Sequence, residues 1–209
     1  MILTGKKGLA AYLDETGGGP LPDIASCFTG SSLVICGDGA CVWSDLEALG
    51  CKVEDGKGSV AKDGWHFMAV NKIGEVFPGN LTHWFSNSPA HLLRFSAARR
   101  DEYIKEFRVP QHTHACQKGA MWHWPWTGHG TSALGAALSG VALGYDNIVL
   151  CGIPLDDGPH NGEPPWRKTR FTTEVKGPDK HWQRAIDLVL KGRVTSMSGR
   201  TKDWLGCSI

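Results

Sequence analysis

Short apolar runs alternate along the chain with segments of helical spacing, and this alternation predicts the fold. Trp65–Val70 and Asn147–Cys151 have the length and composition of buried parallel strands. Similar runs lie at residues 33–36, 81–85 and 193–197. Strands that alternate with helices are typical of a parallel sheet covered on both faces. The pattern therefore predicts one α/β domain with a mostly parallel sheet.

The helical segments are recognised by spacing and by caps. Residues 131–143 carry small and apolar side chains at helical intervals, and Gly144 follows as a C-terminal cap. Residues 91–107 predict an amphipathic surface helix, and residues 179–190 predict a helix before the last strand. Ser44 and Glu47 match a capping box, which predicts a helix start after the first strand.

The remaining segments are polar, aromatic or rich in glycine and proline. Residues 1–31 predict an irregular lead-in to a domain at 32–209. A hairpin or loop, an edge strand, an aromatic loop and a terminal turn are predicted at 51–64, 111–116, 120–126 and 201–205 respectively. The segment at about 154–178 is too long for an idle connection, so it is predicted to be a lid or a disordered segment.

Composition and charge narrow the classes of function. The net charge is +1, with 22 basic and 21 acidic residues, so no nucleic-acid footprint is evident. No window approaches the roughly 18 apolar residues of a membrane span, and the first residues lack the pattern of a signal peptide. The seven cysteines are scattered without a CxxC pair, which favours a reducing, cytoplasmic location.

Polar residues follow the predicted strands where a parallel sheet binds its ligands. They are Gly37, Asp38 and Gly39 after the first strand, Asn71 after the second, Ser86 after the third, Thr131 and Ser132 at a helix start, and Asp156 after a later strand. The carboxyl ends of parallel strands share one edge of the sheet. The sequence therefore predicts a nucleotide or phosphate-ester site at this edge.

The turn after the first strand is a candidate phosphate cradle. A strand, a glycine turn and a capped helix aim backbone N–H groups at an anion, and here Gly37 and Gly39 flank Asp38. Many such turns need two glycines for steric reasons alone. Asp38 would repel a phosphate unless it faces a ribose or a cation.

Several of these motifs together resemble a known group of proteins. They are Val34-Ile35-Cys36-Gly37-Asp38-Gly39, Asn71 at the end of a strand, Thr131-Ser132 at the start of a small-residue helix, and the run from Leu143 to Ile153. Their order is similar to that of the Rossmann-like group that contains the bacterial lipooligosaccharide sialyltransferases, and the archaeal 6-hydroxymethylpterin diphosphokinases share the pattern. The resemblance spans roughly residues 32–199 and implies a Rossmann-like fold with a nucleotide-dependent transferase activity.

The resemblance also implies roles for single residues. In the sialyltransferases of this group, a glycine turn and an Asn contact a CMP-sugar, a Thr-Ser helix start lies against the nucleotide, and a His after a mobile lid is the general base. By position these are Gly37, Gly39, Asn71, Thr131, Ser132 and His181. The lid carries Arg167, Lys168 and Arg170, which would stabilise a leaving nucleotide. His160 is a second candidate base.

The implied function is sugar transfer from a nucleotide-activated donor, so the expected partner is a nucleotide or nucleotide-sugar. A magnesium-dependent diphosphokinase is an alternative, in which Asp38 and Asp156 would hold Mg²⁺. A nucleotide-binding module without turnover is a further alternative, as is a phosphoester or N-glycosyl hydrolase in the same crevice.

Two aromatic and histidine-rich motifs have several interpretations. His112, His114 and Cys116 would share one face of a strand, and His123 or His129 would complete a zinc set. The spacing lacks CxxC and HxxxH, so we predict no metal site there.

Three alternating tryptophans, Trp122, Trp124 and Trp126, are compatible with stacking on a base or sugar, with plugging the sheet, or with a homodimer contact. Cys41 follows the glycine turn and has no adjacent base, so we do not predict a catalytic thiolate.

Overall fold

The computed structural model describes residues 3–52, 60–102, 111–113, 120–126, 131–164 and 178–207. The helices are α1 Leu3–Thr16, α2 Val42–Ala48, α3 Ile73–Val76, α4 Pro89–Glu102, α5 Ser132–Leu143, α6 Pro178–Ala185 and α7 Gly199–Leu205. The strands are β1 Ser32–Cys36, β2 Trp65–Val70, β3 His83–Phe85, β4 Gln111–Thr113, β5 Trp122–His123, β6 Asn147–Cys151 and β7 Val194–Ser196. A π-helical segment, Ile186–Leu190, continues α6. Over these ranges no helix has both the length and the apolar character needed to cross a membrane.

All seven strands form one parallel sheet in the order β5-β4-β3-β2-β1-β6-β7. The predicted single α/β domain with a mostly parallel sheet is confirmed, because every described strand pair is parallel. The register places Cys36 of β1 beside Cys151 of β6 and beside Ala69 of β2. These three central strands are almost wholly buried, which explains their continuous apolar sequences.

Two apolar clusters cover the two faces of the sheet. One joins α1, α5 and α6 to the face that carries Leu33, Ile35 and Met68. The other joins α2, α3 and α4 to the face that carries Val34 and Phe67. Helix α5 lies close to the strands because its small residues allow it, as at Gly135, where a Cβ would lie 2.6 Å from the ring of Phe85. This close approach brings the start of α5 to the end of β3.

Several predicted elements differ from the structure. Residues 1–31 are not an irregular lead-in throughout, because α1 forms and buries Leu9 and Tyr12 in the core. The predicted terminal turn at 201–205 belongs to the helix α7. The strand β4 is not at the edge of the sheet, because the two-residue strand β5 pairs with it on its outer side. The predicted helix at 91–107 is described as far as Glu102.

The predicted capping box at the start of α2 is wrong. The helix begins at Val42, so Ser44 lies inside its first turn rather than at its cap. The Ser44 hydroxyl donates to the carbonyl oxygen of Cys41 at 2.9 Å instead. The S-x-x-E pattern is met by chance here, because the tight turn before α2 already fixes where the helix starts.

A chain of hydrogen bonds crosses the apolar face under α5. Trp124 Nε1 donates to His112 Nδ1 at 3.1 Å, and the other nitrogen of His112 lies 2.9 Å from Nδ1 of His83. Nε2 of His83 lies 2.9 Å from the hydroxyl of Tyr145, which lies 2.8 Å from Nδ1 of His66. Since an indole N–H can only donate, neutral His112 and His83 must both carry their proton on Nε2. Each buried group then has a partner.

Candidate functional site

The carboxyl ends of the strands form one edge of the sheet, and the chain connections change direction there between β1 and β6. β2 lies on one side of β1, and β6 lies on the other. In open parallel sheets, ligands bind in the crevice outside such a switch point. Gly37, Asn71 and Ser86 each directly follow a strand, so the fold brings these predicted site residues to that edge.

Polar groups from β2, β3 and α5 are joined by hydrogen bonds at this edge. The hydroxyl of Ser86 donates to Oδ1 of Asn71 at 2.8 Å, and the N–H of Ser88 donates to the Ser86 hydroxyl oxygen at 3.1 Å. The N–H of Asn87 donates to Oγ of Ser132 at 3.2 Å, which binds the end of β3 to the start of α5. Because Oδ1 of Asn71 already accepts a bond, its amide nitrogen is the group left to donate to a ligand.

Thr131 completes this group as the N-cap of α5. Its Oγ1 accepts the N–H of Leu134 at 3.2 Å and the indole N–H of Trp182 at 3.2 Å. Trp182 belongs to α6 and is fully buried, so α6 is bound to the start of α5. We call Asn71, Ser86, Asn87, Thr131 and Ser132 the amide–hydroxyl cluster.

The glycine turn after β1 has a structural role. Gly37 N–H donates to the Cys151 carbonyl at 2.8 Å, and Gly39 N–H donates to the Gly152 carbonyl at 2.9 Å. A Cβ at Gly37 or Gly39 would lie 2.5 or 2.8 Å from the Gly152 carbonyl oxygen. Both glycines therefore allow the turns after β1 and β6 to touch, and their N–H groups are not available to a phosphate. Contact of this turn with a nucleotide through other atoms stays a prediction.

Asp38 faces cationic side chains. Its Oδ2 lies 3.9 Å from Nδ1 of His160, and the amine of Lys72, beside Asn71 at the end of β2, also acts on it. Burial raises the pKa of the Asp38 carboxyl, and His160 and Lys72 oppose this shift. Residues 159–161 are held over the glycine turn by N–H bonds from Ala40 to the Pro159 carbonyl and from Asn161 to the Asp38 carbonyl. The cationic partner anticipated for Asp38 is thus provided by the protein itself.

The other predicted residues lie at the edges of this arrangement or outside it. Oδ1 of Asp156 accepts the N–H of Gly158 at 2.9 Å and so stabilises its own turn. His181 is half-buried in α6, directly before Trp182. The three predicted lid cations, Arg167, Lys168 and Arg170, lie outside the described residues.

Two polar contacts near the site were missed in the sequence. Arg200, at the start of α7, binds Asp179 at 2.5 Å and so ties the first turn of α6 to α7. The buried carboxylate of Asp45 accepts the N–H of Gly152 at 2.8 Å and the hydroxyl of Ser198 at 2.7 Å. Both pairs join residues far apart in the chain, so no local pattern reveals them.

Cys41 beside this network is poorly suited to nucleophilic catalysis. Burial raises the pKa of its thiol to about 11, although a hydrogen bond to Ser198 opposes the shift. A thiol that stays protonated at neutral pH is a weak nucleophile. The structure thus agrees with the absence of a predicted catalytic thiolate.

The histidine and tryptophan motifs belong largely to the core. His112 is fully buried, whereas His114, Cys116 and His129 lie outside the described residues. Across the parts of the chain that the structure describes, no group of three or more His, Cys, Asp or Glu is arranged to hold a metal ion. Trp124 and Trp126 are buried and stacked, with ring centroids 5.8 Å apart. They are therefore unavailable for stacking on a ligand or for a dimer contact.

Comparisons with known proteins give one informative result. No protein-family model matches the chain, and no curated sequence matches it. Among solved structures, the chain is similar to the sialyltransferase CstII from Campylobacter jejuni in complex with a substrate analogue, cytidine-5'-monophosphate. The TM-score is 0.53 at 11% sequence identity, over 87% of this chain and 86% of that chain. At this identity the likeness shows a shared fold.

Proposed function

We propose that this protein is a nucleotide-dependent transferase that moves a sugar from a nucleotide-activated donor to a hydroxyl acceptor. The observation that carries the proposal is the amide–hydroxyl cluster, which lies at the ligand-binding edge of a fold shared with a CMP-bound sialyltransferase. Side-chain amides and hydroxyls suit the phosphate and ribose oxygens of a nucleotide. A cytidine nucleotide is therefore the first ligand to test.

In this proposal the nucleotide contacts the donors of Asn71, Thr131 and Ser132. The other proposed residues of the nucleotide site are Gly37, Asp38, Gly39, Ser86 and Asp156. Gly37 and Gly39 would shape the crevice floor, because their N–H groups are already bonded. Ser86 would act through Asn71, whose amide it orients.

His181 is the proposed general base. It would take the proton of the acceptor hydroxyl while that oxygen attacks the anomeric carbon of the donor. The bond between this carbon and the phosphate oxygen breaks, and the nucleotide leaves with the electron pair. Arg167, Lys168 and Arg170 are the proposed cations that stabilise the leaving phosphate. The segment at about 154–178 is accordingly proposed as a lid.

Magnesium-dependent diphosphate transfer is less well supported. Oxygen ligands from several carboxylates suit Mg²⁺, but Asp38 is next to His160 and Lys72, and Asp156 binds its own turn. These two carboxylates do not form a shared set among the described residues. The reaction proposed above therefore includes no step through a metal.

A thermal-shift panel tests the nucleotide site. CMP, CDP, AMP, ATP, GTP and UDP are each added with and without Mg²⁺. A ligand that binds only the folded state adds about 2.7 kcal/mol at a hundredfold excess over its Kd. We expect a cytidine-selective shift that does not need the metal. A magnesium-dependent ATP shift would favour the diphosphokinase instead, and no shift with any nucleotide would refute the site.

Variants of His181 separate an enzyme from a binding module. We expect His181→Ala to keep CMP affinity and lose transfer of the sugar from a CMP-sugar to an acceptor. A wild-type protein that binds CMP and turns over no CMP-sugar would be a nucleotide-binding module. Release of free sugar without an acceptor would indicate a hydrolase. The scattered cysteines, free in the described residues, support our further proposal of a cytoplasmic location.

A further inference from the structure

We propose that Trp182 is a positioning residue that makes the Thr131 hydroxyl an obligate hydrogen-bond donor towards the nucleotide. The inference rests on the proposed function, because that function assigns Thr131 to the nucleotide site. Trp182 is buried beneath this site and acts only through Thr131.

The hydrogen bonds of Thr131 fix the direction in which its hydroxyl can interact. A hydroxyl oxygen has two lone pairs and one hydrogen. The lone pairs accept the N–H of Leu134 and the Nε1–H of Trp182, both at 3.2 Å, and neither of these groups can accept in return. Only the hydrogen of the hydroxyl is left, and among the described residues it has no acceptor. A group that binds here must therefore supply an acceptor, as a phosphate oxygen does.

The indole sets this direction because it cannot easily move. Trp182 is 0% exposed, and it packs in the same apolar cluster as Leu134 and the other core residues of α5. Without its N–H, one lone pair of Thr131 becomes free, and the hydroxyl hydrogen can rotate away from the ligand. The change then weakens binding although Thr131 itself is intact.

The same contact links the two halves of the proposed site. Thr131 caps the helix at the nucleotide, and His181 directly precedes Trp182 in α6. The indole bond therefore ties the helix that carries the proposed base to the helix that carries the proposed nucleotide donors. Both helices are positioned by one buried side chain.

A double-mutant cycle on CMP affinity, measured by calorimetry, tests the coupling. We expect Trp182→Phe and Thr131→Val each to weaken CMP binding by about tenfold, which corresponds to one hydrogen bond to a charged group. The double variant should bind no more weakly than Thr131→Val, because Trp182 has nothing to orient once the hydroxyl is gone. Thr131→Ser keeps the hydroxyl and should restore binding to within about threefold of wild type.

Trp126→Phe is the matched control. Trp126 is buried in the same apolar cluster, and its Nε1 donates to Ser139 at 2.8 Å, within the core. Its replacement removes the same atoms and should lower stability without changing CMP affinity. If the Trp182→Phe and Thr131→Val effects multiply to about a hundredfold, Trp182 contributes only packing and the inference is overturned.

A measurement on the wild-type side chain covers the case in which Trp182→Phe does not fold. The indole N–H resonance of Trp182, identified by its proximity to Thr131 and Leu134, should shift in Thr131→Val and stay in place in Thr131→Ser. A resonance that is insensitive to both changes overturns the inference. Wild-type protein that binds no CMP overturns the proposed function and this inference with it, whereas binding with independent effects overturns the inference alone.

Discussion

Acidification is expected to destabilise this fold through two buried histidines, His83 and His112. Both are almost inaccessible to solvent. Burial lowers the pKa of His83 to about 2, with a further contribution from the neighbouring His112, and burial lowers the pKa of His112 to about 3. Protonation would also break the chain of hydrogen bonds, because Nδ1 of each ring acts as an acceptor in it.

The size of the effect follows from the protons that only the unfolded chain can bind. At the reference pKa of about 6.5, an unfolded histidine goes from about one tenth to about nine tenths protonated between pH 7.5 and 5.5. The folded state stays neutral over this interval, so stability falls as the pH is lowered. Each histidine contributes a loss of about 1.4 kcal/mol, and the two together about 2.7 kcal/mol. This is a large part of the 5–15 kcal/mol typical of a domain.

Urea unfolding at pH 7.5, 6.5 and 5.5 measures this loss for the wild type and for His83→Gln. Glutamine keeps one acceptor and one donor but does not titrate. The variant should be less stable at every pH, and its loss between pH 7.5 and 5.5 should be smaller than that of the wild type by about 1.4 kcal/mol. His91→Gln, on the exposed side of α4, is the matched control and should keep the wild-type pH dependence. Equal losses in wild type and His83→Gln would refute the assignment of a neutral buried imidazole.

Three further predictions concern the turns at the site. Gly37→Ala should lower the free energy of unfolding by about 1–3 kcal/mol, because its Cβ would lie 2.5 Å from a carbonyl oxygen, whereas Gly19→Ala has its nearest contact at 3.9 Å and should be neutral. Asp45→Ala should cost about 1–3 kcal/mol for each of the two donors it leaves unsatisfied, as denaturant unfolding can show. His160→Ala should change stability by less than about 0.5 kcal/mol and keep turnover; loss of turnover there, but not in His181→Ala, would move the base to His160.

The sheet was predictable because its strands are buried on both faces. A parallel strand without a solvent face reads as a continuous apolar run, and β1, β2 and β6 all do so. The strand β5 has only two residues, too few for any periodicity. Helix α1 was missed because its glycines are poor helix formers. Gly8 is instead needed for packing, since a Cβ there would lie 2.0 Å from the Leu188 carbonyl oxygen.

The placement of Asn71, Ser86, Thr131 and Ser132 at one edge follows from strand order alone, and the hydrogen bonds among their segments support that placement. Their bonding could not be predicted in the same way. Trp182 reaches Thr131 across 51 positions of the sequence, a contact that only the packing of α6 against α5 creates.

The two functions that a glycine turn can have are separated by its partner across the sheet. A phosphate cradle needs free N–H groups, whereas here Gly37 and Gly39 donate to the turn after β6, which the sequence of the turn itself does not contain. If a phosphate binds at this edge, its donors must then come from the side chains of the amide–hydroxyl cluster and from residues that act on them. Nucleotide affinity should accordingly be more sensitive to Thr131→Val than stability is, and Gly37→Ala should show the opposite balance.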